Sequence, residues 1–92
     1  MEVTSFKLVS GEEVIARVDE RTDDLIVLDR PMAIGLGQTK DGMAVQLMPW
    51  LASNQEGIVK IYPRHVVAET IPHSELEAGY IKQTSLIAMA VG

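Results

Sequence analysis

The sequence predicts an all-β fold with one short helix, and three observations carry that reading. Apolar residues recur mostly with a period of two, as they do on half-buried strands. Seven glycines and four prolines punctuate the 92 residues, falling where the alternation breaks. Aromatic residues are confined to Phe6, Trp50, Tyr62 and Tyr80, so the core must be built from Val, Ile, Leu, Met and Ala. Prolines and paired glycines at strand breaks favour a small, strongly bent open β-barrel over a flat sheet.

The elements follow in order. Phe6 and Leu8 alternate with Ser5, Lys7 and Val9, and Ser10-Gly11 reads as a turn. Val14, Ala16 and Val18 mark one apolar face of the next strand. Glu20 to Asp24 is a polar turn, and Leu25 to Leu28 is a wholly apolar run, as in a strand buried on both sides. Pro31 cannot donate to a ladder, so Asp29-Arg30-Pro31 marks an edge or a bend. Met32 to Gly37 resumes the strand, with Gly35 and Gly37 permitting curvature. Thr39-Lys40-Asp41-Gly42 is a hairpin signal. Met43 to Met48 is the next strand, stopped by Pro49, and residues 51–57 form a polar loop.

Ile58 to Tyr62 and Val66 to Ile71 are two further strands around the tight turn Pro63-Arg64-His65. After Pro72, Ser74-Glu75-Leu76-Glu77 matches a capping box with Ser74 as N-cap. That box predicts a helix to about Gln83, with Gly79 costing roughly 1 kcal/mol against Ala. Leu86 to Val91 reads as a last strand or as a tail packed on a neighbour. The whole, residues 1–92, is one domain with a helix and tail from about residue 73.

Composition narrows the function. There is no Cys, which excludes thiolate chemistry and disulfides. With only two His, a zinc site within one chain is not expected. No apolar run approaches the roughly 20 residues that span a bilayer. The N-terminal residues lack a basic segment followed by an apolar core, so the expected location is cytoplasmic. The mean hydropathy of +0.13 is high for so small a domain and points to apolar surface covered by copies of itself.

The net charge is −5, which opposes loose binding to nucleic-acid backbones. The charge is uneven, however: seven of the thirteen acids lie in residues 1–24, whereas Gly57 to His73 carries one acid, Glu69, against Lys60 and Arg64.

The order of elements resembles the Sm-like family of ring-forming RNA-binding proteins, which includes Sm, LSm and bacterial Hfq. Phe6-Lys7-Leu8-Val9-Ser10-Gly11 is similar to the opening of the first Sm motif, with Gly11 at its turn glycine. Val14, Ala16 and Val18 fall at the apolar and small positions that follow, Thr22 or Asp23 at the turn Asp, and Leu25 at the next apolar position. Ile61-Tyr62-Pro63-Arg64-His65-Val66-Val67 is similar to the second motif, in the Hfq version where Tyr-Lys-His precedes the last strand. Small Sm-like proteins encoded by phages share this likeness. The family's base-contacting Asn has Ile26 or Val27 in its place, and neither can hydrogen-bond a uracil edge. The family's helix precedes the barrel, whereas the helix expected here follows it.

The resemblance implies a non-catalytic homo-oligomeric ring, of about five to seven subunits, that binds single-stranded nucleic acid, RNA before DNA. Its nucleic-acid-binding residues would be Tyr62, Arg64 and His65, with Lys60 beside them. An arginine offers a planar donor fork for phosphate, and Tyr or His can stack on a base. Each residue also has a structural alternative. Tyr62 would pack at an interface, Arg64 would pair with Glu69, His65 would cap the turn, and Lys60 would be a solvated strand residue. Trp50 is expected in the core or an interface rather than as an exposed stacking platform.

No cofactor and no metal is expected. Asp23, Asp24 and Asp29 could in principle hold a divalent ion, but acidic hairpin turns are common without one. Gly35-Leu36-Gly37 lacks the third glycine and the surrounding unit of a dinucleotide fingerprint. A protein–protein adaptor ring, using the acidic face or the apolar residues Leu86–Val91, is the alternative function.

Overall fold

The computed structural model describes residues 2–54 and 57–91, with side chains up to Ser85. Six strands form one antiparallel sheet: β1 (Glu2–Leu8), β2 (Glu13–Arg21), β3 (Ile26–Thr39), β4 (Gly42–Pro49), β5 (Ile58–Ile61) and β6 (Val66–Thr70). A 3₁₀ turn (Pro63–His65) joins β5 to β6, and the chain continues into α1 (Ser74–Val91). The strand order is β4-β3-β2-β1-β6, with β5 also pairing to β3. The sheet does not close, so β4 and β6 stand at its two ends.

The sheet bends because β3 serves two partners. Its first residues, Ile26–Asp29, pair with β5, and Met32–Thr39 pair with β4. Between them the ladder to β2 skips a register, so that Arg30 and Pro31 oppose the single residue Ala16. Arg30 takes φ +50, in the left-handed region that a side chain rarely adopts. This is a β-bulge, and bulges sharpen twist and bend a strand. The sequence marked this place as a bend through Pro31. The strand nevertheless continues through it, because the amide and carbonyls freed by the bulge find other partners. The Arg30 N–H donates to the Gly57 carbonyl, and the Pro31 carbonyl accepts from the Trp50 N–H at 3.2 Å.

Curling brings both faces into play. On the inner face Phe6 and Leu8 of β1, Val14 and Ala16 of β2, Ile26 and Leu28 of β3, and Val59 and Ile61 of β5 share one core. β1 and β5 are not hydrogen-bonded neighbours, and the bend lets both contribute to this one core. Phe6 and Leu28 are essentially inaccessible, and burying each such side chain is worth about 1.5–3 kcal/mol. On the outer face Val3, Ile15 and Met32 pack with Tyr80, joined by Ile34, Leu47 and Leu76, so α1 covers that face. The alternation Val14/Ile15 and Leu8/Val3 thus feeds two cores, which explains how a chain with so few aromatics holds an apolar majority in its strands.

The turns follow local chemistry. Gly11 sits at φ +95 and donates to the Leu8 carbonyl at 2.9 Å, closing the β1–β2 turn. Gly42, at φ +115, takes the left-handed position after the Lys40-Asp41 turn. The Thr22 hydroxyl accepts from the Asp24 and Leu25 amides and so fixes the acidic β2–β3 turn. The run Leu25–Leu28 is not buried on both sides: Ile26 and Leu28 are buried, while Leu25 and Val27 are partly exposed.

The helix departs from expectation at both ends. Its N-cap is His73, not Ser74: the His73 carbonyl accepts the Glu77 amide at 2.9 Å, and His73 Nδ1 accepts the Glu75 amide at 3.3 Å. Ser74 is therefore the first helical residue. The helix also runs eighteen residues rather than stopping near Gln83, so residues 86–91 form neither a strand nor an extended tail. Leu, Ala and Met are strong helix formers, and no Pro or Gly interrupts the chain between Tyr80 and Val91. No helix among the described residues is long and apolar enough to cross a membrane.

Candidate nucleic-acid interface

The 3₁₀ turn after β5 holds the sequence-predicted cluster together. Tyr62 follows the strand in extended conformation, and Pro63 opens the turn at its first position, where a missing N–H costs nothing. The His65 amide donates back to the Tyr62 carbonyl at 2.9 Å, and the His65 carbonyl accepts from the Val9 amide at 2.8 Å. The turn is thus stitched to the β1–β2 turn. His65 caps nothing with its side chain there; the backbone alone secures the turn.

The side chains gather on the exposed side. The Arg64 guanidinium carbon lies 4.6 Å from the Tyr62 ring centroid, a cation–π contact. The His65 ring meets Tyr62 edge-on, with centroids 6.0 Å apart and planes at 85°. Tyr62, Arg64 and His65 are all exposed. Tyr62 therefore does not belong to the core of its own chain, and its ring braces the arginine. Lys60 is exposed two residues earlier, on the opposite side of β5 from buried Val59 and Ile61. The alternation of the strand places it on the same side as Tyr62.

The expected alternative partner of Arg64 is already taken. Glu69 accepts both its bonds from Arg21, each at 3.0 Å. Among the described residues no carboxylate forms an ion pair with Arg64 or Lys60. Residues 57–68 contain no acid. The cluster is thus a local positive site on a chain of net charge −5. A shallow groove of about 390 Å³ lies beside it, lined by Arg21, Asp23, Pro63, Val67 and Glu69 among others. Its two carboxylates suit it poorly to a phosphate.

The other residues singled out in the sequence have structural roles. Trp50 is half-buried against the inner core, and its indole N–H donates to Glu12 at 3.1 Å, so it closes the end of the barrel-like curl. Asp29 pairs with the neighbouring Arg30 at 3.5 Å. No group of three potential metal ligands occurs among the described residues. Gly35 and Gly37 lie within β3, where the Gln46 side chain lies across Gly37 in the space a β-carbon would fill.

One residue of structural weight escaped the sequence reading. Tyr80 is fully buried, and its hydroxyl accepts the Arg17 amide at 3.2 Å while facing the Asp29 and Arg30 carbonyls at 2.9 Å each. These backbone groups lie at the bulge. Burial raises the Tyr80 pKa above its ordinary value of 10.0, against the opposing pull of the Arg17 amide and guanidinium. The available signal was a lone aromatic on the helix that follows Pro72.

No family model and no curated protein matches this chain.

Proposed function

We propose that the protein is a non-catalytic, Sm-like oligomer that binds single-stranded nucleic acid through Tyr62, Arg64 and His65, with Lys60 contributing charge. The observation that carries the reading is the exposed Arg64–Tyr62–His65 stack on a turn whose backbone is fixed. A guanidinium held against a ring presents its N–H donors to phosphate with little ordering cost. A neighbouring ring offers a face for a base, and such stacking tolerates any sequence. The open sheet, with β4 and β6 at its two ends, supports assembly in a ring. Assembly repeats the weak positive site around an axis, which multiplies affinity.

Fluorescence anisotropy with labelled single-stranded RNA and DNA tests the proposal. Wild type binds more weakly as salt rises, and Arg64→Ala lowers both the affinity and the salt slope, by about 0.7 for each lost phosphate contact. Equal binding, or equal absence of binding, by wild type and Arg64→Ala removes the site.

A second reading, an adaptor ring that binds protein, is favoured by one observation. Leu36 and Val45 face each other across the β3–β4 hairpin and remain 72% and 55% exposed, with Met43 beside them at 65%. The side chains of Leu86–Val91, the other expected contact, lie outside the described set. Copurification of a protein partner without any nucleic-acid signal would select this reading.

A further inference from the structure

We infer that α1 guards the edge of β4, and that Gln83 competes for this edge with β6 of a second copy of the chain. The inference rests on the assembly proposed above and concerns how it is controlled.

The edge of β4 is unusually unprotected by its own residues. Gly42 to Pro49 contains no Lys, Arg, Asp or Glu, and the β3–β4 ladder runs from Thr39/Gly42 to Met32/Pro49 without a register shift. Charge and bulges are the usual means of blunting an edge, and covering it with a helix is the other. Here α1 does the covering, but incompletely. Gln83 Nε2 donates to the Leu47 carbonyl at 3.1 Å. The Leu47 carbonyl therefore points away from β3, and by the alternation of an antiparallel ladder Val45 and Met43 point their backbone groups the same way.

Between that edge and the helix lies a groove of about 650 Å³, lined by Val45 to Met48 and by Leu76, Gly79 and Gln83 of α1. Gly79 is the telling residue. A β-carbon there would meet no atom within 4 Å among the described residues. Nothing in the packing of the described residues calls for a glycine at this helix-interior position, although it costs about 1 kcal/mol relative to Ala. Space beside an open strand edge is what an added strand needs.

The opposite end of the sheet supplies that strand. β6 presents Val67, 65% exposed, and its one carboxylate, Glu69, is already held by Arg21. β4 carries no charge and the one charge of β6 is already paired, so the two edges meet without burying an unpaired charge. β6 spans five residues against the eight of β4, and pairing over the half of β4 that lies along α1 requires the Leu47 carbonyl, so Gln83 must let go for it to form.

Light scattering over a concentration series tests the inference on wild type, Gln83→Ala, Gln83→Glu and Gly79→Leu. The glutamate keeps the shape of Gln83 but has no N–H to donate. Losing the competing bond makes Gln83→Ala and Gln83→Glu assemble at about two- to tenfold lower concentration than wild type. Gly79→Leu fills the groove and requires a higher concentration, while far-UV circular dichroism finds its helix intact or strengthened. If wild type assembles and the Gln83 variants assemble equally or less readily, the guard is overturned and the ring stands. If all four proteins stay monomeric throughout, the assembly itself is overturned, and the guard with it.

Discussion

Replacing Tyr80 with Phe is the sharpest test of how the bend in β3 is held. The substitution keeps the ring and its packing against Val3, Ile15 and Met32, and removes only the hydroxyl. The Arg17 amide then loses its partner, and so do the carbonyls of Asp29 and Arg30. An unsatisfied buried polar group costs about 1–3 kcal/mol. One orphaned amide, with the carbonyls partly relieved by relaxation of the bulge, gives an expected loss of about 2–3 kcal/mol. For a domain of this size that corresponds to a fall in Tm of roughly 10–20 °C.

The same bond gives a pH signature. The folded pKa of Tyr80 is raised by burial. Its contribution is therefore complete below the unfolded value of about 10 and is lost as pH rises from there through the folded value. Urea unfolding followed by far-UV circular dichroism at pH 7 and across the alkaline range measures both effects. Wild type loses stability above pH 10 more steeply than Tyr80→Phe. A change below about 0.5 kcal/mol at pH 7, or identical alkaline profiles, would refute the claim that this hydroxyl satisfies the bulge.

Two further predictions concern local backbone chemistry. His73→Asp, with a better N-cap residue, stabilises the protein by about 0.5–1 kcal/mol. Ser74→Ala stays within about 0.5 kcal/mol because Ser74 is not the cap; thermal melts of the two variants decide between the positions. Gly42→Ala forces a side chain into φ +115 and costs about 1 kcal/mol or more. Gly37→Ala meets only the movable end of the exposed Gln46 side chain, so its midpoint in urea shifts far less.

Much of the fold was legible because its signals are local. The Gly11, Thr22 and Asp41-Gly42 turns, and the bend at Pro31, each rest on a few adjacent residues. That the strand resumes at Met32 was legible, but what holds the bulge before it was not, since the group that satisfies it is a tyrosine about fifty positions downstream. The helix start was misplaced by one residue because Ser74 and Glu77 mimic a capping box, while His73 supplies the capping nitrogen. The end was missed because Leu86 to Val91 suits strand and helix alike by hydropathy alone, and there is no local stop signal before Gly92. At the candidate site, Tyr62, Arg64 and His65 are neighbours in sequence and were found together. Their electrostatic setting depends on Arg21 engaging Glu69 from 48 residues away, a pairing that periodicity does not reveal.

The central claim is a self-assembling sheet that carries nucleic acid. Light scattering behind size exclusion, with the 260/280 nm absorbance ratio recorded across the peak, tests it most directly. The expected result is a mass several times the 10.1 kDa of one chain, and a raised ratio that falls in Arg64→Ala while the mass is kept. A single peak at the mass of one chain, with the absorbance ratio of bare protein, would contradict it.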